Sequence, residues 1–234
     1  MNLLKNRYFL FYLSLISLLF YSCRTVFPAP DFVNFTKEAN QEKIFIKFSK
    51  EWPHQLSMDQ SALIGIGRKK IAAIGLCALN SNKDKISFAL MTLTGMKLLE
   101  MKREDGKTDT YFSIPEIKDR KSASKQLIQD IKTIYFPPVR NPDNCEIRKN
   151  KIIYQWQTLN EKMLMVFGKT AKDQEITLRE KKQYHDNNLI SIVYYSDYKR
   201  NNGKNIPMTI HYQNIEFNYS LILKTKKLYN YDEK

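Results

Sequence analysis

Short segments in which apolar and polar residues alternate, separated by turn-forming residues, occupy most of the chain after residue 43. Alternation with a period of two residues is typical of β-strands that bury one face. Between residues 62 and 114 these segments are interrupted by "GRK", "NSNKDK", "TGM" and "REDGK", which all have the composition of turns. This part of the chain is therefore predicted to form an antiparallel meander.

The alternating pattern resumes after one helical segment, in "CEIRKNKIIYQWQ", "KMLMVFGKT", "EITLREKKQY", "NLISIVYYSD", "IPMTIHYQ" and "EFNYSLILKTKKL". The whole chain then has about eleven strands and one strong helix. This count predicts a mainly β fold with a minor α component, built as a strongly curved antiparallel sheet or open barrel.

Two apolar segments near the start of the sheet carry further expectations. "KIFIKFSKEWP" places Ile44, Ile46 and Phe48 on one face of an alternating pattern, so we expect it to be the first strand. The segment Ile71–Leu79 is apolar on both faces. Such a strand is expected to be covered on both sides.

The helical segment is "SASKQLIQDIKTIYFPP". Ser122 or Ser124 can act as the N-cap, and Pro137 and Pro138 end the helix. Its apolar residues recur at helical spacing and should lie against the sheet; they are Leu127, Ile128, Ile131, Ile134 and Tyr135.

The N-terminus has the layout of a secretion signal. Lys5 and Arg7 precede an apolar block from Tyr8 to Tyr21, and small Ser22 stands before Cys23. The block has fourteen residues, whereas a spanning helix needs roughly twenty. We therefore expect residues 1–22 to be a signal peptide that is cleaved before Cys23.

The cleavage site resembles the lipobox of bacterial lipoproteins, in which the cysteine thiol receives a diacylglyceryl group and the new N-terminus is acylated. The resemblance implies that Cys23 is the lipidation site and that the protein is tethered to a membrane by its acylated N-terminus. An ordinary signal peptide with an incidental cysteine is the alternative. Residues 23–42 are then the acylated cysteine and a flexible tether, and residues 43–234 are one domain.

Location and charge restrict the partners. Gram-negative lipoproteins with Asp after the cysteine tend to stay at the inner membrane; this chain has Arg24 there, which favours a periplasm-facing outer-membrane lipoprotein. The net charge is +14, which attracts anions such as phospholipid headgroups or lipopolysaccharide. A solvated lysine-rich surface explains the charge equally well. An exported protein has no nucleic acid as its natural partner.

No residue pattern points to catalysis. His54, His185 and His211 are far apart in sequence and lack metal-ligand spacing, and the chain has no phosphate loop, nucleophile elbow or "HExxH". We expect no enzyme activity, metal or cofactor. Cys77 and Cys145 could form a disulfide in an oxidising compartment; a buried free thiol at Cys77 is the alternative.

The order of elements carries a resemblance. A meander with "LTGMKLLEM", a helix ending in "YFP" and the closing "GKNIPMTIHYQNIEFNYSLILK" resemble the LolA/LolB-like lipoprotein-carrier superfamily, and more closely its uncharacterised LolB-like lipoprotein members. In that superfamily a "P-x-x-I" strand leads through a turn to a final alternating strand. Pro207, Ile210, Tyr219 and Leu221 can occupy those places.

The resemblance implies a LolA/LolB-like half-barrel domain at residues 43–234, with a helix across its concave face and an apolar cavity that accepts acyl chains. The basic side chains Lys69, Lys70 and Lys97 are candidates to contact an anionic headgroup. Candidate cavity-lining residues, each of which could instead be plain core, are Ile74, Leu76, Phe88, Leu90, Leu99, Met101, Ile131, Ile134, Trp156, Met165, Phe167 and Tyr194.

Two functions are compatible with these features. The first is a non-enzymatic carrier or acceptor that binds the acyl chains of a lipid or acylated protein during envelope biogenesis, and acts as a monomer. The second is a structural or assembly lipoprotein with a filled core, whose basic surface binds a periplasmic protein partner. The occupancy of the cavity distinguishes them.

Overall fold

The computed structural model describes residues 32–33, 40–114, 123–148, 150–170 and 175–229, which belong to a compact unit spanning residues 31–234. The predicted signal peptide and the predicted lipidation site Cys23 lie outside the described residues. The helices are α1 (Gln41–Glu51) and α2 (Ala123–Tyr135). The strands are β1 (Phe32–Val33), β2 (Gln55–Ile66), β3 (Lys69–Asn80), β4 (Lys85–Thr92), β5 (Lys97–Glu104), β6 (Lys107–Ser113), β7 (Asn144–Arg148), β8 (Lys151–Gln157), β9 (Glu161–Thr170), β10 (Thr177–His185), β11 (Asn188–Asn201), β12 (Lys204–Asn214) and β13 (Tyr219–Tyr229).

One antiparallel sheet contains all the described strands. Its order is β6-β5-β4-β3-β2-β13-β12-β11-β10-β9-β8-β7, and β1 pairs with β9 off this path. The pairing of β13 with β2 joins the two meanders, and the sheet does not close into a barrel. The predicted mainly β, open antiparallel architecture is confirmed, with thirteen described strands where about eleven were expected.

The strand directions give the sheet two ends. We call "upper" the end with the β2–β3, β4–β5, β8–β9, β10–β11 and β12–β13 turns. The β3–β4, β5–β6, β9–β10 and β11–β12 connections lie at the lower end.

Helix α1 corrects one prediction, because residues 41–51 form a helix and not the first strand. The side chain of Asn40 caps it by accepting a hydrogen bond from Lys43 N at 3.1 Å. Ile44 and Phe48 pack against the core, whereas the side chain of Ile46 is 44% exposed. The segment is too short for its periodicity to decide between strand and helix, and the cap favours the helix.

Helix α2 lies where the sequence predicted it and packs its apolar stripe on the sheet. Ile128, Ile131, Ile134 and Tyr135 are all buried in the main hydrophobic core. Ser124 is the second residue of the helix, while Ser122 lies outside the described residues. The helix ends directly before Phe136 and the two prolines, as expected from the missing amide hydrogens of proline.

Strand β3 corrects a second prediction, namely that both of its faces are covered. Ala73, Cys77 and Leu79 are buried in the main hydrophobic core, but Leu76 on the other face is 39% exposed. The core therefore covers only the inward face of β3. The apolar outer face of β3 remains partly open to solvent. A single exposed leucine is common on protein surfaces and does not prevent folding.

The short strand β1 docks on the lower end of β9 through a notch made by a glycine. Phe32 pairs with Thr170, and its ring occupies the space where a side chain at Gly168 would lie. A Cβ at Gly168 would be 2.1 Å from the Phe32 ring. The Asn150 side-chain amide also donates to the Phe32 carbonyl at 3.3 Å. The glycine is therefore required for β1 to dock here.

Both described cysteines are free thiols. Cys77 is buried on β3, and burial raises the pKa of its thiol to about 12. Cys145 on β7 is partly buried. In the described part of the chain, the helices are too short or too polar to cross a membrane.

Candidate functional site

A cavity of about 200 Å³ lies between α1 and the lower ends of β9, β10, β11 and β12. For scale, a cavity of about 150 Å³ lined by aliphatic and aromatic groups holds a benzene molecule. The space is therefore large enough for a short apolar group. Its lining residues are Ile44, Lys47, Phe48, Glu51, Trp52, Phe167, Glu175, Ile176, Thr177, Leu178, Tyr198 and Asn205.

Aromatic and aliphatic side chains form the inner wall of the cavity. Ile44 and Phe48 are one helical turn apart on α1, so both face the sheet. The Phe48 ring packs edge-on against Phe167 of β9, with 5.1 Å between centroids. Leu178 of β10 and Tyr198 of β11 complete the wall on the sheet side. This wall suits an apolar ligand.

Charged side chains form the rim of the cavity. Lys47 of α1 contacts Glu175 at 2.9 Å, and Arg200 of β11 contacts Glu51 at 3.0 Å. Arg200 also approaches Glu175 at 3.7 Å. The hydrogen bond from Lys47 lowers the pKa of Glu175, so this carboxylate stays ionised at neutral pH.

These ion pairs hold α1 weakly. Lys47, Glu175 and Arg200 are each about half exposed, and exposed ion pairs contribute roughly 0–1 kcal/mol each. None of the described side chains of α1 is fully buried. The docking of α1 therefore rests on its aromatic contacts with β8 and β9 and on the hydrogen bond of 2.6 Å from the Tyr154 hydroxyl to Gln41 O.

Helix α2 is fixed at its C-terminal end, because buried side chains from two strands, β10 and β11, bind its last carbonyls. The buried ammonium of Lys181 donates to Thr133 O at 2.8 Å and to Phe136 O at 2.9 Å. The hydroxyl of Tyr195 donates to Ile134 O at 2.6 Å. A helix leaves its last carbonyls without intrahelical partners. These bonds satisfy them inside the core and fix the end of α2.

Lys181 is a buried base that no pattern in the sequence identifies. It is 2% exposed, and within the described chain no carboxylate pairs with it. Burial lowers its pKa to about 7. Its inward position follows from a bulge in β10 between Leu178 and Glu180, where two residues oppose one on the neighbouring strand.

A second buried polar group lies under the middle of α2. Oδ1 of Asp130 accepts hydrogen bonds from Tyr212 at 2.5 Å, Gln126 at 3.0 Å and Asn214 at 3.3 Å. Its Oδ2 is buried without a partner among the described groups. Burial raises the pKa of Asp130 to about 6. Where the chain is described, no cluster of three or more His, Cys, Asp or Glu could hold a metal ion.

The twelve candidate lining residues do not come together around one cavity. Phe167 is the one that lines the cavity under α1. Most of the others are packed in the hydrophobic core; they are Phe88, Leu90, Leu99, Met101, Ile131, Ile134, Trp156 and Met165.

The last three candidates lie on the other face of the sheet. Ile74 and Leu76 alternate with the inward-facing Ala73 and Cys77, and Tyr194 lies next to the buried Tyr195. Ligand contact at all twelve positions stays a prediction. The cavity walls come mainly from α1 and β10, and these residues carry no motif that would have identified them.

The candidate headgroup residues also lie away from this cavity. Lys69 and Lys70 begin β3, and Lys97 begins β5, where it pairs with Glu100. All three are exposed at the upper end of the sheet. The basic groups at the cavity are instead Lys47 and Arg200, at the lower end.

Comparison with solved structures supports the architecture. A LolA superfamily protein from Nitrosomonas europaea superposes with a TM-score of 0.55 at 11% identity, over 84% of this chain and 96% of that one. The chain has a LolA-like fold. A domain from Vibrio parahaemolyticus described as an outer membrane lipoprotein-sorting protein gives a TM-score of 0.50 at 13% identity, over 81% of this chain and 93% of that one.

A DUF1329 family protein from Desulfovibrio piger superposes on the LolA-like domain with a TM-score of 0.47 at 6% identity, over 83% of this chain and 93% of that one. The sequence matches no family model and no curated protein. The structural likeness thus exceeds what sequence similarity reveals.

Proposed function

We propose that this LolA-like protein is a non-enzymatic carrier or acceptor that binds the acyl chains of a lipid or acylated protein in the bacterial envelope. The observation that carries the proposal is the apolar cavity of about 200 Å³ beneath α1. Its wall is aromatic and aliphatic, and its rim carries both signs of charge. Such a site binds an apolar chain inside and keeps a polar headgroup at the mouth.

Binding of a full acyl chain requires α1 to move. By proportion to a benzene-sized cavity of about 150 Å³, the present space holds about eight carbon atoms. A longer chain needs more room, which becomes available when α1 tilts away from Phe167 and Tyr154. The exposed ion pairs of α1 oppose this motion only weakly, so its main cost is the loss of these ring contacts and of the hydrogen bond from the Tyr154 hydroxyl to Gln41 O.

The proposal includes an acylated Cys23 and a periplasm-facing position on the outer membrane. The lipobox-like sequence before Cys23 supports the anchor, and Arg24 supports the outer membrane. Two structural neighbours, a LolA superfamily protein and an outer membrane lipoprotein-sorting domain, agree with an envelope role.

The test is native mass spectrometry of the chain beginning at Arg24, titrated with fatty acids and a lipopeptide. We expect stoichiometric acyl binding, and Ile176→Phe, which fills the cavity, should weaken it at least tenfold. Ile74→Phe is the matched control, because Ile74 is also partly buried but lies on the convex face. Thermal unfolding shows whether each variant is folded.

Two outcomes would contradict the proposal. A mass that stays bare with every acyl ligand argues against a carrier. Equal losses in Ile176→Phe and Ile74→Phe, with both variants folded, would place the binding site elsewhere.

A structural or assembly lipoprotein is the second candidate function. It is favoured by the packed core, in which Leu99, Ile152 and Met165 have no exposed surface. A chain that binds no acyl ligand but retains an envelope protein through its basic surface would support this alternative.

A further inference from the structure

Three neighbouring hairpin turns at the upper end of the sheet carry exposed apolar side chains. The strands involved are contiguous in the order β5-β4-β3-β2-β13-β12, so successive turns are about 10 Å apart. Each hairpin contributes two large apolar residues, every one at least 39% exposed. We call this set the apolar rim: Leu93 and Met96, Ile66 and Ile71, and Ile215 and Phe217.

Turn chemistry does not explain the apolar rim. Turns favour Gly, Asn, Asp and Ser because these residues adopt the required backbone conformations. The three lower-end turns that the structure describes completely follow this rule, with Ser81–Lys83 and Asp84, Asp105 and Gly106, and Asn202 and Gly203. Single exposed apolar residues are common, but their concentration at one end of a sheet is typical of an interaction site.

Basic residues stand within the rim. Arg68, Lys69 and Lys70 follow each other in the β2–β3 hairpin and are all exposed. In the described part of the chain none of them has an ion-pair partner. Glu216 is the one acidic residue in the β12–β13 turn. The centre of the rim is therefore positively charged and flanked on both sides by apolar tips.

We infer that the apolar rim docks on an anionic lipid bilayer. Leu93, Met96 and Phe217 enter the headgroup region, while the basic triplet contacts lipid phosphates. Each Lys or Arg near an anionic bilayer surface strengthens binding by electrostatic attraction, and burial of the apolar side chains strengthens it further. The inference is independent of the cavity under α1, which lies at the lower end of the sheet.

The composition of the rim favours a bilayer over a protein partner. Lysine is depleted in the buried centres of protein interfaces, whereas Lys69 and Lys70 stand in the middle of this surface. In a bilayer the phosphates lie outside the hydrocarbon. The long basic side chains can bind the phosphates while the neighbouring apolar side chains reach the hydrocarbon.

The test is co-sedimentation of the chain beginning at Arg24 with vesicles of phosphatidylcholine alone, or of phosphatidylcholine and phosphatidylglycerol at 7:3. Without Cys23 the chain has no acyl anchor of its own. We expect at least tenfold stronger binding to the anionic vesicles, and a strong reduction of that binding in high salt.

Matched variants separate the apolar and basic contributions. Leu93→Ser with Met96→Ser should reduce binding at least fivefold, while Leu76→Ser, an exposed leucine on the convex face, should not. Lys69→Gln with Lys70→Gln should remove the preference for phosphatidylglycerol. The control is Lys83→Gln with Lys107→Gln, two exposed lysines at the lower end.

Three results would overturn the inference: no binding to either vesicle, equal binding by the rim variants and their controls, or self-association through the rim with no vesicle binding. The titration with soluble acyl ligands, which tests the proposed carrier function, uses no vesicles. Its result is therefore independent of the result for the apolar rim.

Discussion

The indole nitrogen of Trp52 donates a hydrogen bond of 2.7 Å to the carbonyl oxygen of Tyr135. Trp52 is the C-cap residue of α1, and Tyr135 is the last residue of α2. The Trp52 ring also packs edge-on against Tyr195, whose hydroxyl binds the neighbouring carbonyl of α2. The C-terminal end of α1 is thus fixed to the firmly held end of α2, and any outward motion of α1 would pivot there.

Trp52→Phe removes this hydrogen bond and leaves a buried carbonyl without its donor. We expect the free energy of unfolding, measured with urea, to fall by about 2 kcal/mol. Tyr212→Phe is the matched control, because the buried hydroxyl of Tyr212 donates to Asp130 Oδ1 at 2.5 Å under the middle of α2, away from the pivot. Both variants should lose stability, but only Trp52→Phe should speed amide exchange in α1. Equal exchange in α1 would argue against the pivot.

Lys181 should make stability depend on pH above neutrality. Its pKa is about 7 in the folded protein, against an ordinary value of 10.5. Between these values the unfolded chain binds more protons than the folded one, so this lysine makes stability rise with pH. We expect the difference in unfolding free energy between wild type and Lys181→Met to change in that direction from pH 7 to 8.5. A difference that is constant over this range would contradict the assignment.

Asp130 should act in the opposite direction at lower pH. Its pKa is raised from 3.8 to about 6, so its contribution to stability is complete below the unfolded value and is lost as the pH rises through about 6. Asp130→Asn keeps an oxygen for Tyr212 and removes the buried charge. We expect this variant to lack the decline between pH 4 and 7, and unfolding curves at several pH values measure it. An unchanged decline would assign it to other groups.

Gly168→Ala should detach β1 without unfolding the sheet. The new Cβ would overlap the Phe32 ring, which must then leave its notch. We expect faster proteolysis near residues 32–33 and a small change in unfolding free energy. Phe32→Ala should have the same effect, and adding Gly168→Ala to it should change little more. Additive losses in this double-mutant cycle would contradict a direct contact.

Much of the fold follows from local patterns in the sequence. Alternation and turn residues predicted the meanders, and the spacing of Ile128, Ile131 and Tyr135 predicted α2. The residues around Ile44 satisfy both strand and helix periods, and the cap by Asn40 decides between them only in three dimensions.

The candidate site was harder to predict for three physical reasons. Strand β3 is apolar on both faces, so the sequence does not specify which set faces inward, and Ile74 and Leu76 were chosen from the outer set. The bulge in β10 turns Lys181 into the core, and a bulge leaves no clear mark in a polar stretch. The cavity and the apolar rim arise from residues distant in sequence, which only the topology brings together.

The docking of Phe32 over Gly168 limits how far an anchored molecule could travel. Nine Cα–Cα steps separate Cys23 from Phe32, and even fully extended they reach roughly 30 Å. The ten residues of β9 rise about 33 Å from the docking point to the upper end. With a tether of this length, an acylated Cys23 would keep the mouth of the cavity near the membrane that holds the acyl chains. The apolar rim would reach that membrane only if the tether were fully extended. The rim is better placed to meet a second surface approaching from the opposite side.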